Sequence, residues 1–355
     1  MNRDVHIHFY SQGATDMPQF GKAKPKPKPK PKPKTYVAQN LFPDGPLESI
    51  KYSTNGSNWS NIVTGGFING INSHTYCSSV WVAIGGNSGN VGYNSTIQYS
   101  GDSSNWSNSV SGGFDVGYSI SYNPISSITV AVGQGNYDPN AANYYDPNTT
   151  IQYSGDGSNW SNAYNANFSK GTGNDITNNG SNLWIAVGEA TTLNNSILYS
   201  GDGSNWSNSI SGGFEDGYGV SYSPIHNMMV AVGRSGNYEP NPNTTIQYSG
   251  DGSNWSNCIS GGFDSFGKGI ANNRSNLWVA IGQSTSPSTC IQYSGDGSNW
   301  SNSSYNGIQR NPSKIIWTGS NFLIHYNATK MLKSSTDGIT WTTAIPHIPF
   351  SVTSR

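Results

Sequence analysis

Two stretches of this sequence place tyrosines next to carboxylates and amides. The first, YDPNAANYYDPN, spans residues 137–148, and the second, NYEPNPN, spans residues 237–243. Aromatic rings can stack on the apolar faces of sugars while carboxylates accept hydrogen bonds from hydroxyls, so both stretches are candidate carbohydrate-binding loops. A tyrosine placed before a proline can equally serve to stiffen a loop, and both interpretations stay open. The candidate ligand-binding residues are Tyr137, Asp138, Tyr144, Tyr145, Asp146, Tyr238 and Glu239.

A second recurring phrase, Gly-Gly-Phe followed by an acidic residue, adds further aromatic and acidic side chains. Phenylalanine rings are most often buried, so we interpret them as packing between neighbouring structural units and not as ligand-binding groups. The acidic residues that follow would lie on the same surface as the tyrosine loops. The members of this set are Phe114–Asp115, Phe214–Glu215 and Phe263–Asp264.

The composition limits the elements that can position these residues. Charged residues make up 10% of the 355 residues, 43 residues are glycine, and tyrosine and tryptophan are frequent. Short strands joined by tight turns are typical of such a composition. Three scattered cysteines favour neither a disulfide framework nor a zinc site.

The net charge of −1 conceals an uneven distribution. Residues 1–34 carry a net charge of +6, whereas residues 35–355 carry −7. An acidic body has no basic surface for a phosphate backbone, so we expect no nucleic-acid partner except through the basic N-terminal segment. No apolar run has the length of a membrane span, and the N terminus lacks the apolar core of a secretory signal. We therefore expect synthesis in the cytoplasm.

One phrase recurs along most of the chain and predicts the fold. TIQYSGDGSNWS and its variants begin at residues 49, 96, 150, 196, 245, 290 and 331, which are 41 to 54 residues apart. Each copy follows an apolar run such as VAVG, which is typical of a strand buried on both faces. This period is that of a four-stranded propeller blade. The sequence thus predicts an all-β, seven-bladed β-propeller of four-stranded antiparallel blades over residues 35–355.

The number of strands also predicts how the ring closes. Phrases typical of an innermost strand, such as GYSISYN at residue 117, precede every repeat except the first. The segment IPFSVTSR after the last repeat has a similar pattern. We therefore expect residues 348–354 to complete the first blade, which would remove the open edge of the ring.

The centre of the repeat, SGDGSNW, has the composition of a tight turn. In the copy at residues 154–160, the Asp156 side chain can accept hydrogen bonds from nearby backbone N–H groups, and Gly157 can adopt a positive φ. Trp160 would bury its ring beneath the turn. We assign a structural role to the aspartates at this position, which are Asp102, Asp156, Asp202, Asp251, Asp296 and Asp337.

This repeat resembles the Asp-box, or BNR repeat, of the sialidase-like superfamily in its short form S-x-D-G-x-x-W. The resemblance covers almost all of residues 49–341, with Asn55 in place of the aspartate and Ser103 in place of the glycine. It implies a propeller in which the box is a structural turn on the face opposite the active site.

The resemblance also raises the question of catalysis, because sialidases use an arginine triad, a tyrosine nucleophile and an acidic partner. The predicted propeller contains only Arg234, Arg274, Arg310 and Arg355, in different connections and without the Arg-Ile-Pro context typical of the family. We therefore predict a non-catalytic member with no catalytic residues, no cofactor and no metal site.

Residues 1–34 form a separate segment in this interpretation. Alternating lysine and proline over residues 22–34 excludes helix and sheet, because proline lacks an N–H group, and like charges extend the run. Ahead of it, Val5, Ile7 and Phe9 alternate with polar residues in a strand-like pattern. We expect this anchor to add to the sheet edge of a protein partner such as a capsid, with the Lys-Pro run as spacer. A disordered solubilising tail is the alternative.

Together these observations favour a non-enzymatic structural or attachment protein that displays a propeller on a tether and binds another protein or a surface glycan. The Asn/Ser-rich repeat style resembles propeller proteins encoded by giant DNA viruses of protists, which implies a virion-associated component. A soluble multivalent lectin is the alternative, and a sialidase-like glycosidase is less favoured.

Overall fold

The computed structural model describes residues 35–39, 49–55, 57–86, 92–140, 144–236, 241–304, 311–326, 329, 331–344 and 352–354. The chain divides into two compact parts, residues 1–33 and 34–355, and all described residues lie in the second. The predicted anchor residues Val5, Ile7 and Phe9 and the Lys-Pro run lie outside the described residues. In the part of the chain that is described, no helix is long and apolar enough to cross a membrane.

The strands pair antiparallel in consecutive units of four, in which chain order follows spatial order from the inside outward. The first four units are β28 (Val352–Ser354), β1 (Tyr36–Gln39), β2 (Ile50–Ser53) and β3 (Ser60–Asn61); β4 (Ile71–Cys77), β5 (Val80–Gly85), β6 (Ile97–Ser100) and β7 (Ser107–Asn108); β8 (Val116–Asn123), β9 (Ile128–Gln134), β10 (Ile151–Ser154) and β11 (Ser161–Asn162); β12 (Thr172–Asn178), β13 (Trp184–Glu189), β14 (Ile197–Ser200) and β15 (Ser207–Asn208).

The later units repeat this order. They are β16 (Asp216–Ser223), β17 (Met228–Arg234), β18 (Ile246–Ser249) and β19 (Ser256–Asn257); β20 (Phe266–Asn272), β21 (Trp278–Gln283), β22 (Ile291–Ser294) and β23 (Ser301–Asn302); β24 (Lys314–Trp317), β25 (Phe322–Tyr326), β26 (Met331–Ser335) and β27 (Thr342–Thr343). Single 3₁₀ turns precede several third strands, at Tyr93–Thr96, Pro147–Thr149, Leu193–Ser196, Pro242–Thr245 and Pro287–Thr289. The prediction of an all-β, antiparallel structure is confirmed.

The first unit contains strands from both ends of the second part of the chain. β28 pairs antiparallel with β1, and this places Tyr36 opposite Ser354 and Ala38 opposite Val352. Of the closing strand expected over residues 348–354, only Val352–Ser354 is described, and residues 345–351 lie outside the described ranges.

The apolar core lies between neighbouring units. One cluster combines Ile185 and Val187 of β13 with Met229 and Ala231 of β17 and with Trp255 from the turn after β18. Further clusters join other neighbouring units in the same way. Because both faces of each second strand are covered, its apolar run is continuous and does not alternate. A single unit therefore buries little without its neighbours.

The innermost strands of successive units lie side by side. β4 contacts β8, β8 contacts β12, β12 contacts β16, β16 contacts β20, and β20 contacts β24. Four-stranded antiparallel sheets whose inner strands succeed one another in this way form a β-propeller.

The turn between the third and fourth strands has the same hydrogen bonds in almost every unit. Asp156 Oδ1 accepts from the backbone N–H groups of Ser158 and Asn159, both at 2.8 Å, and Asp156 Oδ2 accepts from Asn159 Nδ2 at 2.8 Å. Burial alone would raise the pKa of Asp156, but these hydrogen bonds outweigh it and hold the pKa well below its usual range. The buried Trp160 donates through Nε1 to the carbonyl of Gly157 at 3.1 Å. The same pair of backbone bonds is made by Asp102, Asp202, Asp251, Asp296 and Asp337.

The two departures from the repeat keep this turn. Asn55 accepts from the N–H groups of Ser57 and Asn58 at 2.9 and 2.8 Å, so an amide oxygen replaces the carboxylate. Ser103 replaces the glycine and takes a φ of +73°. The turn thus needs a short side-chain acceptor more than it needs a negative charge.

Replacing Asp156 with alanine is expected to lower the free energy of unfolding by about 1–2 kcal/mol, because several hydrogen bonds to the turn are lost. Asp156→Asn should cost only a few tenths of that range, as Asn55 already holds the same turn. Urea unfolding of the full chain followed by circular dichroism measures both. Equal losses for the two variants would show that charge, and not the acceptor, stabilises the turn.

Candidate functional site

The antiparallel order sends the connections after the second and fourth strands of every unit to one face. We name this the loop face, and its described parts include residues 135–140, 144–149, 168–171, 189–193, 214–216, 234–236 and 263–266. The connections after the first and third strands, including the aspartate turns, lie at the opposite ends of the strands.

The connection from β9 to β10 carries the predicted tyrosines. Tyr137 pairs with Tyr145, and the Asp138 N–H donates to the Tyr144 carbonyl at 2.8 Å. The rings of Tyr137 and Tyr144 are nearly parallel, with an interplanar angle of 5° and centroids 6.4 Å apart, and the residues are 55% and 59% exposed. Tyr144 has a φ of +63°, a conformation that bulky residues rarely adopt. We name Tyr137 and Tyr144 the tyrosine platform.

The two aspartates of this connection hold the loop itself. Asp138 Oδ1 accepts from the Asn140 N–H and Asp146 Oδ1 from the Asn148 N–H, each at 2.9 Å. Asp146 thereby caps the short 3₁₀ turn that follows it. The structure gives both carboxylates a turn-holding role that sequence reasoning did not include.

The remaining predicted residues divide into three groups. Tyr145 packs edge-on against Tyr137, at 81° and 6.4 Å, and supports the platform. The rings of Phe114, Phe214 and Phe263 are completely buried, which agrees with their interpretation as packing residues. Tyr238 and Glu239 lie outside the described residues.

Ionised side chains that sequence reasoning missed gather where β12 and β13 meet β16 and β17. Asp216 is buried and accepts from Lys170 Nζ at 3.0 Å, and its second oxygen accepts from the Arg234 guanidinium. Glu215 lies 3.5 Å from both cations. Burial and the charge of Asp216 raise the pKa of Glu189. We name Lys170, Glu189, Glu215, Asp216 and Arg234 the ionic cluster.

A sequence signal for this cluster does exist. The second strand ends in glutamine at Gln134 and Gln283, whereas the equivalent residues of the two intervening units are Glu189 and Arg234. A neutral residue replaced by opposite charges in adjacent repeats is what an ion pair between blades requires.

Tyr118 connects the tyrosine loop with the ionic cluster. Burial raises the pKa of Tyr118 first, and the charges of Glu189, Asp115 and Tyr145 raise it further. The residues that act on one hydroxyl come from the connection bearing the platform and from the cluster. The two features therefore belong to one continuous part of the loop face.

A groove of about 810 Å³ adjoins the ionic cluster. It lies between the connections that follow β13, β15, β17 and β19, and Leu193 on its wall is 49% exposed. Glutamate, arginine and hydroxyl groups face an apolar side chain across it. Its walls include Leu193, Glu215, Arg234, Ser235, Asp264 and Ser265.

The innermost strands line a second cavity of about 490 Å³. Asp175 accepts from Ser119 Oγ at 2.7 Å and from the Val220 N–H at 3.0 Å, and Lys314 Nζ donates to the Asn72 carbonyl. Burial lowers the pKa of Lys314 to about 8, with the charge of Asp175 acting in the opposite direction. Because each of these hydrogen bonds crosses between units, both ions serve to hold the units together.

The described arginines do not form a carboxylate-binding cluster. Arg234 ends β17 on the loop face, whereas Arg274 lies in the turn from β20 to β21 at the opposite end of the strands. Arg310 and Arg355 lie outside the described ranges. Among the residues with described positions, no three or more histidines, cysteines or acids are placed to hold a metal ion.

No protein-family profile matches the sequence, and no curated protein matches it. Among solved structures, the chain resembles the computationally designed Ika8 protein, with 11% identity, a TM-score of 0.53 and coverage of 88% of this chain and 86% of that one. Chains from a nidogen/laminin complex and from YCF48 bound to a D1 peptide are 11% and 17% identical, both with TM-scores of 0.48. They cover 79% of this chain each, and 97% and 82% of their own. Such identities concern the fold alone, and the fold seen in the sheets of this chain is a β-propeller.

Proposed function

We propose that this protein is a non-enzymatic attachment protein that binds a surface glycan through the tyrosine platform. The observation that carries the proposal is the pair of parallel rings of Tyr137 and Tyr144, more than half exposed on the loop face. Flat, exposed aromatic rings offer an apolar surface to the C–H face of a sugar, and their hydroxyls offer hydrogen bonds at its edge.

The scaffold in this proposal is a seven-bladed propeller of the Asp-box type, closed by the C-terminal strand. The consecutive four-stranded units and the pairing of β28 with β1 support that arrangement. Closure of this kind would hold the platform on a rigid body, which limits the entropy lost on binding.

Two observations support a role without catalysis. The turn aspartates spend their carboxylate oxygens on backbone hydrogen bonds, as at Asp156. Arg234 and Arg274 lie at opposite ends of their strands and cannot grip one carboxylate together. Fold alone does not imply the activity of enzymes that share it.

A single attachment site is favoured over a multivalent lectin. The equivalent connections in two other units, residues 190–196 and 284–290, contain no aromatic residue. Repeated sites would need the platform to recur around the ring. Anchoring of the N-terminal segment on a protein partner and association with a virion remain predictions.

Binding of the full chain to a glycan array tests the proposal. We expect the double variant Tyr137→Ala/Tyr144→Ala to bind its best glycan at least tenfold more weakly, because two stacking surfaces are removed. The matched control is Tyr164→Ala, which removes a tyrosine that is 66% exposed and whose backbone N–H contacts the neighbouring aspartate turn at Ser204. The control should bind normally. Absence of any glycan ligand, or equal binding by the double variant, would overturn the proposal.

A further inference from the structure

The groove beside the ionic cluster has a charge that selects among sugars. Lys170 and Arg234 are the two cations of the cluster, and Glu189, Glu215 and Asp216 are its three acids. Asp264 adds another carboxylate to the groove wall. Arg234 is already engaged by Asp216 and Glu215, so its positive charge is compensated within the protein. An anionic ligand entering this groove would meet a surplus of negative charge.

The groove also offers the hydrogen-bonding groups that neighbouring hydroxyls require. Glu215 and Arg234 have side chains that are 41% and 44% exposed, and they place an acceptor beside a donor. The Nε of Arg234 is buried and has no hydrogen-bond partner among the described residues. Leu193 presents an apolar side chain to the same space. A carboxylate next to a guanidinium can serve two adjacent hydroxyls, each of which donates and accepts.

The walls of the groove are held by hydrogen bonds within the protein. The Glu215 N–H donates to the Arg234 carbonyl at 2.8 Å, and the Ala190 N–H donates to the Glu215 carbonyl at 3.2 Å. Asp264 Oδ2 accepts from Thr285 Oγ1 at 2.7 Å and from the Thr285 N–H at 3.1 Å. Groups fixed before binding lose little entropy when a ligand arrives.

We propose that this groove is a subsite for a neutral sugar ring with adjacent hydroxyls, and that it discriminates against acidic sugars. The inference rests on the proposed function, because it names the chemical class of glycan that the loop face accepts. Glu215 and Arg234 form the hydrogen-bonding side of the subsite, and Leu193 forms its apolar side.

The test uses the full chain and pairs of glycans that differ only in a terminal acid, such as immobilised N-acetyllactosamine and its sialylated form, within a panel of neutral-terminated glycans. The neutral member of the best-bound pair should bind at least tenfold more tightly than its sialylated form. Glu215→Gln should weaken binding of the neutral member about tenfold and narrow the gap within the pair, since it removes both a strong acceptor and a negative charge.

Asp156→Asn is the matched control, because it makes the same acid-to-amide change in a turn at the opposite end of the strands. It should leave both affinities unchanged. Preference for the sialylated form, or an unchanged gap in Glu215→Gln, would overturn the inference. If the tyrosine double variant loses binding while Glu215→Gln does not, the inference fails and the proposed function stands. If no glycan binds at all, the proposed function fails with it.

Discussion

Replacing Trp255 with alanine is expected to lower the free energy of unfolding by about 3–5 kcal/mol. The residue is 4% exposed and packs against Ile185 and Val187 of one unit and Met229 of the next. Its Nε1 donates to the Gly252 carbonyl at 2.9 Å. Truncation would leave a cavity between two units and remove the hydrogen bond that ties the ring to its turn, so the interface and the turn both lose support.

Urea unfolding of the full chain, followed by far-ultraviolet circular dichroism, measures this loss. Tyr164→Ala serves as the control for removing an aromatic ring, because Tyr164 is 66% exposed and its replacement should change stability by less than about 0.5 kcal/mol. A loss below about 1 kcal/mol in Trp255→Ala would mean that the ring is not part of a packed interface between units.

Gln247→Leu is expected to cost about 2–4 kcal/mol. Gln247 is buried, its Oε1 accepts from the Gly213 N–H at 2.7 Å, and its Nε2 donates to the Gly213 carbonyl at 2.9 Å. Leucine would leave both buried backbone groups without partners. Gly213 cannot adapt with a larger residue, since its φ is +111° and a Cβ there would lie 1.9 Å from the Leu193 carbonyl oxygen.

The chain contains its own comparison for this pair. The same two-point contact joins Gln98 to Gly66, Gln152 to Gly113 and Gln292 to Gly262. The remaining unit of this stretch has Leu198 in place of the glutamine, and the preceding connection reads NANF in place of GGF. Glutamine is thus absent where its Gly-Gly partner is absent.

The same unfolding measurement tests the Gln247 prediction. Gln283→Leu makes an identical chemical change at a partly exposed position at the end of β21 and should alter stability by less than about 0.5 kcal/mol. Similar losses for the two variants would show that the contact with Gly213 contributes nothing specific.

Much of the fold could be predicted from the repeat, because its strands and turns depend on residues close together in the chain. The apolar run ITVAV predicted the doubly buried β9, and SGDGSNW predicted a turn held by Asp156, whose bonds reach only two and three residues ahead. The regular spacing of these phrases also implied the four-stranded units that the sheets show.

The candidate site was predicted only in part. Sequence reasoning identified Tyr137 and Tyr144 because tyrosines beside carboxylates stand out in a loop, but it did not foresee that Asp138 and Asp146 would cap their own turns. It missed the ionic cluster entirely. Lys170 and Asp216 are 46 residues apart, and a pattern confined to one repeat does not reveal such a pair.

The amino-acid sequence by itself determined the strands, the turns and the repeat, since each follows from backbone preferences and hydrogen bonds over a few residues. Tertiary structure alone decided which side chains meet across units: the parallel tyrosine rings, the contact of Gln247 with Gly213, and the charges around Asp216. The physical reason is that burial and charge act through space, so the surroundings of each side chain exist only once neighbouring sheets have packed together.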